Sequence, residues 1–260
     1  MSRGILYIAA GEKYVNEAQR SARSVRGVMP DVDIALITDI DGDHDYFDTI
    51  LKLDSSEYDA GYKPSFLQVH RTPYDRTIFL DTDTYVDADI SELFDLLNRF
   101  DLVAPRGPTR EQMPVDVPSA FTEVNGGVIG FNSCDVVDDF LSIWRREYKE
   151  METKKEQPAL RKALFESDLE FYILPSEYNC REVGYVDRTV KIFHYRRNTK
   201  NLEGKIERIN SYDSPRVHYR RWGRSRVVTA ESGLIERAYS SIREDGFKAT
   251  AAKAYEKFRP

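Results

Sequence analysis

Cysteine is scarce in this 260-residue chain: there are two, Cys134 and Cys180. Two thiols build neither a disulfide framework nor a four-thiolate zinc site, and both are expected to be structural. Long apolar stretches are also missing. The longest, ILYIAA at Ile5–Ala10, is a strand's length, against the ~20 residues that a membrane-spanning helix needs. No basic-then-apolar leader opens the chain, so no secretory signal is expected. A reducing, cytoplasmic setting is the simplest reading. Internal repeats and low-complexity segments are absent.

What is present is a globular balance: 41% hydrophobic, 32% charged and 12% aromatic residues, which excludes a disordered chain. The length suits one large α/β domain, or two small ones, with a full core. The net charge of −6 is unevenly spread. Residues 1–190 hold 21 Lys/Arg against 36 Asp/Glu, residues 191–226 hold 11 against 3, and the remainder is nearly balanced with 6 against 5. Such asymmetry points to an anionic partner near the basic stretch, or to a solvated basic face.

Strand-like and helix-like segments alternate through the first half. Gly4–Ala10 reads as a strand buried on both faces. In Lys13–Met29, the residues Val15, Ala18, Ala22, Val25 and Met29 recur at helical spacing, and Pro30 ends the helix. Val32–Thr38, Ile50–Leu53, Thr77–Leu80 and Leu102–Ala104 read as further strands. Lys63–His70 and Ile90–Phe100 read as helices, and Asp39–Asp45 as an acidic loop. The prolines of Pro105–Pro118 mark a loop. Beyond it, Asn125–Phe131 reads as a strand, Asp135–Met151 and Pro158–Phe165 as helices, and Glu170–Leu174 and Val190–His194 as strands. From Val227 onward the pattern is helical, with Leu234, Ile235, Ala238, Tyr239 and Ile242 on one apolar face. Alternation with short connections predicts a mostly parallel sheet covered on both faces. Ligands of such sheets bind beyond the carboxyl ends of the strands. Gly11, Asp39 and Asp81 each follow a strand directly and are expected to cluster there.

The sharpest local feature is IFLDTDT, an apolar strand running into Asp81 and Asp83. Two carboxylates at i and i+2 face the same way if strand geometry persists, and together they suit a hard cation such as Mg²⁺ or Mn²⁺ bridging diphosphate oxygens. The same string fits a phosphatase of the haloacid-dehalogenase type, with Asp81 as nucleophile and Asp83 as general acid/base. That chemistry expects the motif near the N-terminus and paired acids after a later strand. Here three strand–helix units precede it, and Asp138–Asp139 falls in a predicted helix, so the phosphatase ranks second.

Other motifs follow in a definite order. ILYIAAGEKYVNEAQRSARSV forms a first strand and helix, ITD at Ile37–Asp39 ends a second strand, and Lys63 precedes the acid pair. VNGGVIGFN, EQPAL at Glu156–Leu160, LPSEYN at Leu174–Asn179 and IFHY at Ile192–Tyr195 come after it. This ordered set, over roughly residues 4–195, resembles the GT-A-fold, nucleotide-sugar-dependent glycosyltransferases, nearest in motif order to their glycogenin-like and galactosyltransferase-like retaining branch.

The resemblance implies a GT-A core over residues 1–195, with residues 196–260 as a basic segment and C-terminal helices packed on it. It implies that Asp81, Asp83 and His194 hold Mn²⁺ or Mg²⁺. It also implies that Ala9, Ala10, Gly11, Tyr14, Asp39, Lys63, Thr82 and Arg196, with Arg197, face a nucleoside diphosphate donor, most simply UDP-linked. Asn125, Gly126 and Gly127 would line the sugar, and Glu156 and Gln157 would stand near the anomeric carbon. Relatives often carry Asp where Glu156 stands. A neutral amide at Gln157 is compatible with an oxocarbenium-like state and retained configuration. Inversion would need a carboxylate base, for which Glu156, Asp116 or Glu123 is available. The second basic cluster, Arg216, His218, Arg220, Arg221 and Trp222, would border an anionic acceptor: a phosphorylated sugar, a polysaccharide or a lipid-linked phosphate. The acidic body argues against nucleic acid. A non-catalytic binding protein on the same fold is the remaining alternative, and the intact set of Asp81, Asp83, Gln157 and His194 argues against it.

Overall fold

The computed structural model describes residues 1–57, 65–107, 115–151, 156–181, 184–195, 202–212, 214–221 and 224–229. The central sheet has seven strands: β1 (Arg3–Ala9), β2 (Asp33–Thr38), β3 (Thr49–Lys52), β4 (Arg76–Leu80), β6 (Leu102–Pro105), β7 (Val128–Asn132) and β8 (Phe171–Leu174), in the order β3-β2-β1-β4-β7-β6-β8. β1 pairs in parallel with β2 and β4, β2 with β3, and β6 with β8. β7 alone runs against its neighbours β4 and β6. The carboxyl ends of the other strands and the amino end of β7 therefore meet at one edge of the sheet.

Both sheet faces are covered, as the continuous apolar runs require. Successive side chains of a strand point to opposite faces. Thus Ile5 and Tyr7 of β1 join Ile34, Leu36, Ile78 and Leu80 in a core with α1 (Glu12–Val28) and α2 (Glu92–Leu96). Leu6 and Ile8 join Ile37, Phe79 and Phe131 in a second core with α3 (Asp135–Glu150) and α4 (Glu156–Glu166). In α1 the expected stripe of Val15, Ala18, Ala22 and Val25 is buried. The segment read as a helix over Lys63–His70 is a 3₁₀ turn at Ser65–Arg71 among the described residues.

Two small sheets flank this body. β5 (Thr84–Val86) pairs antiparallel with β10 (Ile192–His194). β9 (Gly184–Val186) pairs with β11 (Arg216–Arg221), which pairs with β12 (Arg224–Thr229). α5 (Leu202–Asn210) contributes Ile206 and Ile209 to a third core with Cys180, Val186, Val190, Phe193 and Tyr195. Residues 227–229 are therefore strand and not the start of a helix. Val227, Val228 and Thr229 are β-branched and favour a pleated surface. The apolar face expected over residues 234–242 lies outside the described residues. Cys134 and Cys180 are both free thiols. No described helix is long and apolar enough to cross a membrane.

Candidate active site

The strand-end residues converge as the topology requires. After β1 the chain turns at Gly11, whose φ of 87° favours glycine. Its amide donates to Asp39 Oδ1 at 2.7 Å, which ties the first strand–helix turn to the end of β2. Ala9 is buried and Ala10 half-buried. Tyr14 is 45% exposed, with the Lys13 ammonium 5.0 Å from its ring centre. It stands off the packed face of α1, partly exposed to solvent.

After β4 come Asp81, Thr82 and Asp83. The Asp81 amide donates to the Gly127 carbonyl at 2.8 Å, which extends the β4–β7 ladder by one step. The Asp83 carbonyl accepts from the Tyr195 amide at 3.0 Å, while His194 pairs with Thr84 across β10 and β5. His194 is thereby set against the acid turn, with Nε2 3.0 Å from Asp83 Oδ1 and 3.6 Å from Asp81 Oδ2. The ligand atoms of Asp81, Asp83 and His194 all lie within 4.8 Å of one another. Burial raises the Asp83 carboxyl, but the hydrogen bond and charge of His194 outweigh it, and the net shift is downward.

Three further observations test whether this group fits a divalent cation. Its donors are two carboxylate oxygens and an imidazole, which suit Mg²⁺ or Mn²⁺. His194 Nδ1 lies 2.9 Å from Asn179 Oδ1. In this amide orientation Nδ1 donates to Asn179, and Nε2 is the ring nitrogen that faces the carboxylates. Finally, Gly127 forms a cradle: a Cβ built there would stand 2.9 Å from Asp81 Cγ, and closer still to Asp81 Oδ2 and His194 Cε1. The residues fit the ion.

The opposite wall comes from the turn before β7 and the start of α4. Asn125–Gly127 is a turn and not part of the strand. Asn125 is buried and its Oδ1 accepts from the Gly127 amide at 3.0 Å. A Cβ on Gly126 would lie 3.7 Å from Glu156 Oε1, so the α4 carboxylate borders this wall. Trp144 Nε1 donates to the Glu156 carbonyl at 3.3 Å and anchors the first turn of α4. Glu156 and Gln157 are both half-buried. Among the other candidate bases, Asp116 is exposed and Glu123 buried.

Some expectations are corrected. Arg216 and His218 do not form a basic surface, because both are 1% exposed. Arg216 Nη2 donates to the Arg188 carbonyl at 2.9 Å and Nη1 to the Ser214 carbonyl at 3.2 Å. His218 contacts the Gly184 and Arg181 carbonyls and the Cys180 thiol. Burial and the neighbouring Arg216 push its pKa down to about 4. Lys63, Arg196, Arg197 and Trp222 lie outside the described residues, as do the side chains of Arg220 and Arg221.

Other residues escaped the sequence reading. Glu17 Oε2 accepts from the Thr82 hydroxyl at 3.3 Å, and no local spacing marks that pairing across the fold. Arg161, 3% exposed and one turn beyond Gln157, donates to the carbonyls of Phe121 and Pro118 at 2.7 and 2.8 Å. An arginine on the apolar face of a helix was its visible signal.

No protein-family model and no curated protein matches the chain. Solved structures do. It is similar to an active-site mutant of LgtC, at 16% identity and a TM-score of 0.55, over 76% of this chain and 88% of that one. The galactosyltransferase LgtC in complex with donor and acceptor sugar analogs gives 17% identity and a TM-score of 0.54 over the same shares. The glycosyltransferase GlyE of Streptococcus pneumoniae TIGR4 gives 17% and 0.56, over 76% of this chain and 56% of that one. The chain thus has the GT-A fold of nucleotide-sugar glycosyltransferases.

Proposed function

We propose that the protein is a metal-dependent glycosyltransferase. In this reading it moves a sugar from a nucleoside diphosphate donor, with UDP as the nucleotide, to a carbohydrate or anionic acceptor in the cytoplasm. The observation that carries this reading is the grouping of Asp81, Asp83 and His194 at the ligand-binding edge of the sheet, facing the Asn125–Gly127 turn. A bound Mn²⁺ or Mg²⁺ would neutralise the diphosphate as the bond to the anomeric carbon breaks. The Gly11 turn and the exposed ring of Tyr14 receive the nucleotide, and Asp39 holds that turn in place. Asn125, Gly126 and Gly127 border the sugar. Gln157 offers a neutral amide to the developing positive charge, beside Glu156, consistent with retention. Lys63 and Arg196 supply positive charge toward the phosphates. The free thiols Cys134 and Cys180 agree with a reducing compartment.

The phosphatase reading is weaker. Asp138 and Asp139 are exposed on α3 and are not at the end of a strand. The test is thermal: UDP should raise the melting temperature only with Mn²⁺ present, and Asp83→Ala should abolish the shift. A panel of nucleotide sugars, assayed for Mn²⁺-dependent hydrolysis, then identifies the donor. Failure of every nucleotide with metal overturns the proposal. Metal-dependent phosphate release from small esters, lost on Asp81→Asn, replaces it with the phosphatase.

A further inference from the structure

The buried face of α1 carries two hydroxyls among apolar neighbours. Ser21 and Ser24 are 1% and 9% exposed and sit with Val15, Ala18, Ala22 and Val25. Buried hydroxyls need partners, and both serines find them on the strand that follows the acid turn. Ser24 Oγ donates to the Ser21 carbonyl at 2.6 Å and accepts from the Val86 amide at 2.9 Å. Ser21 Oγ lies 2.8 Å from Tyr7 Oη and 2.8 Å from Thr84 Oγ1. Thr84 Oγ1 in turn lies 2.8 Å from the Asp81 carbonyl.

The direction of this chain follows from counting protons. A carbonyl only accepts, so Thr84 donates to Asp81. Thr84 has one hydroxyl proton, so it accepts from Ser21, and Ser21 by the same count accepts from Tyr7. The chain is one-way, from Tyr7 to Asp81, and buried throughout: Tyr7 is 0% and Thr84 5% exposed. It ends on the residue that offers the first carboxylate of the cation site.

The other backbone groups of the acid turn are also held. The Asp81 amide is fixed by Gly127 and the Asp83 carbonyl by Tyr195. The Asp81 carbonyl accepts the Thr84 amide at 3.2 Å, a longer contact than the 2.8 Å to the Thr84 hydroxyl. The same helix also reaches the turn at a second point, through Glu17 and Thr82, and begins at the Gly11 turn.

We propose that Tyr7, Ser21 and Thr84 are positioning residues for the cation site. Their hydroxyl chain locks the Asp81 carbonyl, and so the Asp81 carboxylate, to α1, making the first strand–helix unit and the acid turn one body. The proposal rests on the cation-binding reading of Asp81, Asp83 and His194. None of the three hydroxyls belongs to the group that would hold the ion; they act through the Asp81 backbone.

The test is calorimetric titration of the whole protein with Mn²⁺ alone, beside metal-free melting curves. Thr84→Val keeps the shape and removes the hydroxyl, whereas Thr84→Ser keeps the hydroxyl. By the net worth of one buried hydrogen bond, Thr84→Val should weaken Mn²⁺ binding about tenfold and Ser21→Ala about fivefold. Thr84→Ser should stay within about twofold of wild type by the same measure. Links in one chain are not additive, so Thr84→Val with Ser21→Ala should bind no more weakly than Thr84→Val alone. If Thr84→Val does not fold, Ser21→Ala and Tyr7→Phe decide by the same readout. Variants that melt earlier but bind Mn²⁺ as wild type does overturn the proposal and leave the chain a packing device. A wild-type protein that binds neither Mn²⁺ nor Mg²⁺ removes the underlying cation reading instead.

Discussion

Two adjacent glycines give the most discriminating experiment on the site. A Cβ on Gly126 would meet Leu160 Cδ2 at 3.6 Å and Glu156 Oε1 at 3.7 Å, ordinary van der Waals contact. A Cβ on Gly127 would meet Asp81 Cγ at 2.9 Å, with Asp81 Oδ2 and His194 Cε1 nearer still. Gly127 is not among the positive-φ glycines, so alanine suits its backbone and the substitution isolates the steric effect. His194 is 4% exposed and held by Asn179, and the Asp81 amide is held by the Gly127 carbonyl. His194 cannot yield cheaply, so the half-buried Asp81 carboxylate must turn away from it. The clash is relieved by moving the two groups apart by about 1 Å, a misplacement that costs on the order of 10²-fold at a reacting centre. Overpacking itself costs about 1–3 kcal/mol, or roughly 2–12 °C in melting temperature for a chain of this size. Gly127→Ala should therefore fold, melt somewhat earlier and lose Mn²⁺ affinity by about 10- to 100-fold, as when the groups that orient metal ligands are disturbed, together with the Mn²⁺-dependent response to UDP. Gly126→Ala should bind Mn²⁺ as wild type does. Calorimetric titration of both variants measures this directly. Retention of wild-type affinity by Gly127→Ala would refute the geometric reasoning, whatever happens to stability.

Two predictions concern the fold itself. Gly4 faces the ring of Tyr74, where a Cβ would stand 2.6 Å from Cε1 and closer to two other ring atoms. Gly4→Ala should cost about 3 kcal/mol in urea unfolding, whereas a loss below about 1 kcal/mol would show that the ring moves aside freely. His218 is buried, with its pKa pushed from 6.5 to about 4 by burial and by Arg216. The unfolded chain therefore binds the proton first as pH falls, and stability declines from about pH 6.5 toward pH 4. Between pH 7.5 and 5 this site should cost about 2 kcal/mol, and His218→Gln should remove that share of the pH dependence.

The sequence exposes those parts of the fold whose signals are local. β1, β2 and β4 are apolar runs bounded by polar residues, and α1 and α3 carry helical periodicity, so their burial follows directly. The convergence of Gly11, Asp39 and Asp81 follows from strand direction. The short strands β5, β9 and β11 escape notice because three to six residues hold too little periodicity to stand out. In β11 the pattern is also inverted: Arg216 and His218 point inward while Val217, between them, is 43% exposed. Charge in a sequence does not state which face of a strand it occupies. The buried pair is stabilised by carbonyls of residues 181, 184, 188 and 214, partners whose approach only the tertiary fold determines. The carboxylate–imidazole group lies between these extremes. Its acids stand two residues apart in the chain, but His194 joins them only through the pairing of β10 with β5.

The reversed strand β7 bears on how this protein can be altered. Opposed to β4 with Leu80 across from Val128, it turns the distance between Asp81 and Gly127 into a matter of counting residues along two strands. A one-residue slip in that pairing would send side chains of one strand to the other face and put a different residue against Asp81, with the hydrophobic layers still available to pack. Insertions in the loop before Asn125 should be tolerated to the extent that they leave this count intact. A single residue inserted between Gly127 and Val128 would instead separate assembly from activity, giving a chain that folds around a misaligned site.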